Sequence, residues 1–213
     1  MGTAPLTIHT FIDDLDEAQF QRYMKSPFLA VDTETMGLDI NRDRLCVVQM
    51  CDVTGEVSVV QIRNYQAPRL KALMEAPEVE KIFHFARFDL ATMKRWLDIE
   101  IKPVFCTKIA SKLVRTYTGS HGLKDVSQEL LGVVMDKQQQ SSDWGAEQLT
   151  PEQLQYAASD VIHLVEIRAR LVEMLAREGR LQLADEIMRF LPTRVALDLL
   201  GWNNHDIFSH ASI

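Results

Sequence analysis

The sequence predicts an α/β fold, a mixed central sheet of five strands flanked by helices. Three observations carry this prediction. Short runs rich in β-branched and aromatic residues mark the first half of the 213-residue chain. Segments with helical periodicity and capping residues dominate the second half. The order is three strands, helix, strand, helix, strand, then helices only, which suits neither an all-β nor an all-α domain.

"FLAVDTE" (28–34) is a short apolar run ending in polar residues, a buried strand that opens into a site. "RLCVVQMCD" and "EVSVVQI" are two further strands, and the "VTG" between them, with its turn glycine, pairs them as a hairpin. "APRLKALMEAPEV" has helical spacing between two prolines. "KIFHF" is the fourth strand, followed by the amphipathic helix "ARFDLATMKRWLD", and "PVFCT" is the fifth. "KIASKLVRTYT" is helical up to Gly119, and "LKDVSQELLG" is a short helix with Gly132 as its C-cap. A polar loop, "DKQQQSSDWGAEQLT", leads to Thr150, Pro151 and Gln153, which have the pattern of a capped helix start. One long helix is expected from there to Gly179. The helix "LQLADEIMRFLP" follows, with a tail over 192–213.

Composition sets bounds on function. At 46% hydrophobic and 25% charged residues the chain is ordinary for one globular domain. No apolar run reaches the ~18 residues that span a bilayer. The N-terminus has no basic start followed by an apolar block, so no secretory signal is expected. Leu6 stands where the myristoylation pattern that begins with Met-Gly requires Ser or Thr. The expectation is a soluble cytoplasmic protein with no membrane contact. Cys46, Cys51 and Cys106 lack zinc-site spacing and are expected as reduced thiols. The net charge of −7 opposes a broad platform for long nucleic acid, because phosphate contacts need Lys and Arg. Two bound divalent cations would bring it to −3, and a substrate with few phosphates fits best.

Asp32 and Glu34 lie two apart at a strand end, so their side chains share a face. Adjacent carboxylates repel unless a cation or proton intervenes. Asp89 sits in the first turns of a helix after a strand, where an acid can also serve the helix dipole. Tyr156 and Asp160, in "YAASD", are i and i+4 on one helix face beside an apolar stripe. Each signal alone is weak, and an ordinary structural role competes with each.

Their order is specific. D-x-E ending a strand, F-D opening a helix and Y-x-x-x-D on a late helix together resemble the DEDD superfamily of 3′–5′ exonucleases, in the tyrosine-bearing branch that includes ribonuclease D. "SDW" (142–144) and "QLQYAASDV" strengthen the likeness over about residues 25–176. The sister branch has histidine five residues before the last aspartate, where this chain has Gln155. The resemblance implies a ribonuclease H-like fold and two divalent cations, Mg²⁺ or Mn²⁺, which prefer hard oxygen ligands. It implies that Asp32, Glu34 and Asp160 hold the ion that activates water, that Asp32 bridges to the second with Asp89 in its shell, and that Tyr156 orients the water.

Over essentially its full length, including "KIFHFARFD", "HGLKD" and "LPTRVALDLLGW", the chain is similar to the nanoRNase C family, short ribonuclease D-like enzymes of alphaproteobacteria. That resemblance implies cleavage of diribonucleotides, a homo-octameric assembly and no helical RNA-binding domains after the catalytic domain, so that 1–213 is one domain with a C-terminal helix and tail (180–213) for oligomer contacts. It also implies that Leu38 wedges between the two bases. His84, Lys108, Arg115, His121 and Lys124 are candidates for the 5′-phosphate, each with a structural role as the competing reading. Met188, Phe190 and Trp202 belong to either the core or a subunit interface. Two other functions compete: a ribonuclease D-like exonuclease trimming longer RNA or DNA, and a catalytically inactive RNA-binding module.

Overall fold

The computed structural model describes residues 7–135, 139 and 141–210. The Met-Gly start and part of the glutamine run fall outside these residues. The sheet has six strands: β1 (Ile8–Ile12), β2 (Phe28–Thr35), β3 (Leu45–Asp52), β4 (Val57–Gln61), β5 (Glu80–Phe83) and β6 (Val104–Cys106). They lie in the order β1-β4-β3-β2-β5-β6. β2–β3 and β3–β4 are antiparallel, whereas β1–β4, β2–β5 and β5–β6 are parallel. The sheet is therefore mixed, as expected, but has one strand more than the five expected. The additional strand, β1, is a short edge strand whose register, Ile8 opposite Val57, depends on a partner far along the chain. Local pattern does not carry such pairing.

Eight α-helices accompany the sheet among the described residues. They are α1 (Glu17–Tyr23), α2 (Pro68–Glu75), α3 (Ala86–Leu97), α4 (Thr107–Val114), α5 (Leu123–Leu131), α6 (Pro151–Val161), α7 (Leu164–Arg177) and α8 (Leu181–Leu197). α1 begins at Asp16, whose carboxylate accepts from the Gln19 amide at 2.8 Å. α4 stops at Val114, short of the expected Gly119, where the backbone of Arg115 leaves the helical region at φ −94° and ψ 58°. The capping box at Thr150 and Gln153 forms as predicted, and Gly132 closes α5 at φ 72°.

Two expectations about helices are corrected. The single long helix is two, broken at Ile162 and His163. α6 packs on β2, β3 and β4, while α7 packs on α4, α5, β2 and β5. One straight rod does not serve both sets of neighbours, so tertiary packing overrides a continuous helical pattern. The proline expected to end the last helix instead sits inside it. α8 runs through Pro192 to Leu197 and continues as a π-helical turn, Asp198–Trp202. Met188, Leu191 and Val195 on both sides of the proline are buried, and their burial offsets the lost hydrogen bond. β2 lies between β3 and β5, with all of β3 buried beside it. The end of β2 is thus a rigid platform, and a register shift after Glu34 releases the chain into the next loop.

Candidate active site

Asp32 and Glu34 project from one side of β2 into a cleft of about 630 Å³. Asp160 and Tyr156 reach the same cleft from α6. One oxygen from each of Asp32, Glu34 and Asp160 lies within 4.8 Å of the others. The Trp144 ring packs against Tyr156, with ring centroids 5.9 Å apart. The Gln153 amide ties the preceding loop to the start of α6, donating to Ser142 Oγ at 3.2 Å and to the Asp143 carbonyl at 3.0 Å.

Asp89 lies outside this trio and is not among the residues lining the cleft, although its charge is felt at Asp32 and Glu34. It is buried in the first turn of α3 and accepts a 2.7 Å hydrogen bond from Thr33 Oγ1, on the residue between Asp32 and Glu34. The turn into α3 passes through Phe85 at φ 71°, a costly conformation for a bulky residue. Lys108 Nζ lies 4.4 Å from the centroid of that ring.

The carboxylates hold protons strongly. Asp32 is pushed well above the usual carboxylate range, first by burial and then by the charges of Asp89, Asp160 and Glu34. Burial and then Asp160 push Glu34 from its ordinary 4.5 to about 9, against a hydrogen bond from Gln49 that lowers it. Burial raises Asp89 to about 7, restrained by the Thr33 hydroxyl. Tyr156 is raised above its ordinary 10, first by burial and then by Asp160, Glu34 and Asp32. Such a cluster is relieved by a proton or by a cation. The donor set fits a hard divalent ion, since all the ligand atoms are carboxylate oxygens.

The rim is more varied. Leu38 lines the cleft at 86% exposure, which removes the core reading of this leucine. His84, Lys108 and Lys124 also line it. His84 Nδ1 lies 2.8 Å from Thr107 Oγ1, and that hydroxyl reaches the Phe83 carbonyl at 3.1 Å. The structure does not bring Arg115 to the cleft. Its guanidinium is buried and donates to Glu129, Ser111 Oγ and the Ser120 carbonyl, which satisfies it inside the fold. His121 is not among the lining residues either; its Nδ1 lies 2.9 Å from Ser111 Oγ. Met188 belongs to the core, whereas Phe190 and Trp202 are partly exposed. Sequence reasoning missed Gln49, Thr33, Phe88 and Met135 at this site. Of these only Gln49, a polar residue inside an otherwise apolar strand, carried a readable signal.

A family model described as a 3′–5′ exonuclease matches residues 9–176. This chain belongs to the 3′–5′ exonuclease family. Among curated relatives, the chain is 34% identical over 166 residues to ribonuclease D of Gluconacetobacter diazotrophicus, an alignment covering 76% of this chain and 41% of that one. The chain thus spans less than half the length of that relative. Among solved structures, it resembles Brucella melitensis NrnC bound to pGG, with a TM-score of 0.92 and 48% identity, covering 97% of this chain and 100% of the other. Brucella melitensis NrnC with bound Mg²⁺ gives a TM-score of 0.91 at 47% identity, covering 96% and 100%. No helix of the exonuclease, among the described residues, is long and apolar enough to cross a membrane.

Proposed function

We propose that the chain is a divalent-metal-dependent 3′–5′ exoribonuclease that hydrolyses very short RNA, chiefly 5′-phosphorylated diribonucleotides, to nucleoside monophosphates. The observation that carries this is the exposed Leu38 standing over a cleft whose floor is a carboxylate trio. The likeness to NrnC bound to pGG supports it.

Asp32, Glu34 and Asp160 would hold a cation, Mg²⁺ or Mn²⁺, and Asp89 would serve a second ion. Bound divalent cations supply an activated water and offset charge on the attacking and leaving oxygens. Tyr156 keeps its proton at neutral pH and so orients a water by hydrogen bonding rather than as a phenolate. Leu38 separates two bases. His84, Lys108 and Lys124 meet the 5′-phosphate, the two lysines from the first turns of α4 and α5, where helix dipoles favour an anion. Among the described residues few cations face the cleft, which matches a substrate with few phosphates.

The exposed apolar side chains Leu181, Phe190, Leu200, Trp202 and Phe208 favour self-association, as a homo-oligomer up to an octamer. Sedimentation as a monomer at micromolar concentration would remove this part of the proposal. A cytoplasmic setting suits Cys46, Cys51 and Cys106, all buried and unpaired.

The test compares 5′-phosphorylated two-mers and seven-mers of RNA under single-turnover conditions with Mn²⁺. Faster cleavage of the two-mer is expected. Equal rates would favour a trimming exonuclease of the ribonuclease D kind, and no cleavage of either would leave a binding module.

A further inference from the structure

We propose that Gln49 is a positioning residue that sets the rotamers of Asp32 and Glu34 for a divalent cation. This rests on the reading that these two carboxylates hold the ion. Gln49 is fully buried on β3 and pairs directly across the antiparallel ladder with Asp32. Residues paired in this way point to the same face of a sheet. Its Nε2 donates to Asp32 Oδ2 at 2.8 Å and reaches Glu34 Oε1 at 3.4 Å. Glu34 itself pairs with Val47, so Gln49 lies on the diagonal to it, a separation that long side chains can bridge. One amide nitrogen with two protons therefore addresses both acids at once.

The other end of the side chain is left unsatisfied. Gln49 Oε1 is buried and has no hydrogen-bond partner in the protein among the described residues. A buried orphan carbonyl is costly and is rarely kept without a reason. With a cation bound the two acids are deprotonated, and the reversed amide would then turn a carbonyl oxygen towards two carboxylates and repel them. The amide orientation is thus fixed by the acids, and the orphan oxygen is its consequence. The chemistry of the residue matters too. A lysine or arginine at this position would also donate to both acids, but its charge would oppose an incoming cation. Glutamine donates while staying neutral, which leaves the negative field of the cluster intact. Asparagine is one methylene shorter than a side chain whose amide already stands 3.4 Å from Glu34.

The test uses the full chain, stripped with chelator, and Mn²⁺ alone as the probe in isothermal titration calorimetry. Gln49→Leu keeps the apolar bulk and removes the donor, while Gln49→Asn keeps the amide and loses the reach. Both are expected to bind Mn²⁺ about 10–100-fold more weakly than wild type, the range for residues that orient ligands from outside the coordination sphere. Melting in chelator shows which variants are folded. A folded variant of either kind that binds Mn²⁺ as wild type does would overturn the proposal, even if its melting temperature falls. Wild-type chain that takes up no Mn²⁺ would instead refute the ligand assignment itself.

Discussion

The floor of the cleft and its rim contrast in how they are held. On the floor, Asp32 and Glu34 project from the interior of a six-stranded sheet, Asp160 from a helix fixed by a capping box, and Asp89 is pinned by Thr33. Along the rim, Leu38 hangs on the loop over 36–44, and Lys108 and Lys124 stand in the opening turns of two short helices. That loop is tied locally through Asp43, which accepts from the Asp39 amide at 3.0 Å and Arg42 Nε at 2.7 Å. A Cβ at Gly37 would come within 2.3 Å of Asp43 Oδ2, so a larger residue there would displace the Asp43 side chain that ties the loop. Changes to the floor should decide whether hydrolysis occurs, and changes to the rim which RNA undergoes it.

Asp160→Asn should break the floor with the largest effect. Losing one ligand forfeits several kcal/mol of transition-state stabilisation, so kcat should fall by about 10³-fold or more. The fold should survive, and without metal the melting temperature should rise by about 2–4 °C if one repulsion worth about 1 kcal/mol is relieved. Wild-type turnover in this variant would remove Asp160 from the site.

Leu38→Ala should sharpen the contrast with an effect confined to substrate choice. Leu→Ala removes three apolar carbons whose burial against the bases contributes about 2 kcal/mol, so kcat/KM for the two-mer should drop about 30-fold. Cleavage of a seven-mer should change far less. An equal loss on both lengths would place Leu38 in general binding.

The last effect is on stability against pH. Glu34 binds its proton more tightly folded than unfolded, its pKa rising from 4.5 to about 9. Between these values the native state therefore carries more protons than the unfolded chain, and stability falls as pH rises. In chelator the melting temperature should decline over that window. Saturating Mg²⁺ should flatten or reverse the slope, since the cation binds the deprotonated carboxylates. A flat profile in chelator would mean that the carboxylates are not crowded.

The floor was legible in the sequence because its signals are local. Asp32 and Glu34 follow the strand period of two, Tyr156 and Asp160 the helix spacing of four, and Thr150 with Gln153 announces the helix start. What escaped depends on distant partners. β1 is defined by its register with β4, and Gln49 gains meaning only across the ladder from Asp32. Arg115 was a candidate for the 5′-phosphate with a structural role as the competing reading, and the structural role holds, because Glu129 takes up its charge within the fold. Neither the break after Val161 nor the passage of α8 through Pro192 follows from local rules. Both follow from the surfaces that the flanking segments cover.

The choice of leucine at position 38 has a consequence in conformational entropy. A lysine or arginine projecting from the same loop would lose about 1.5–2 kcal/mol of rotamer freedom when a ligand stilled it, whereas leucine loses about 0.5–1. At 86% exposure the Leu38 side chain already stands clear of the protein, on a backbone stapled by Asp43. A short ligand makes few contacts with which to offset ordering, and this side chain asks for little of it.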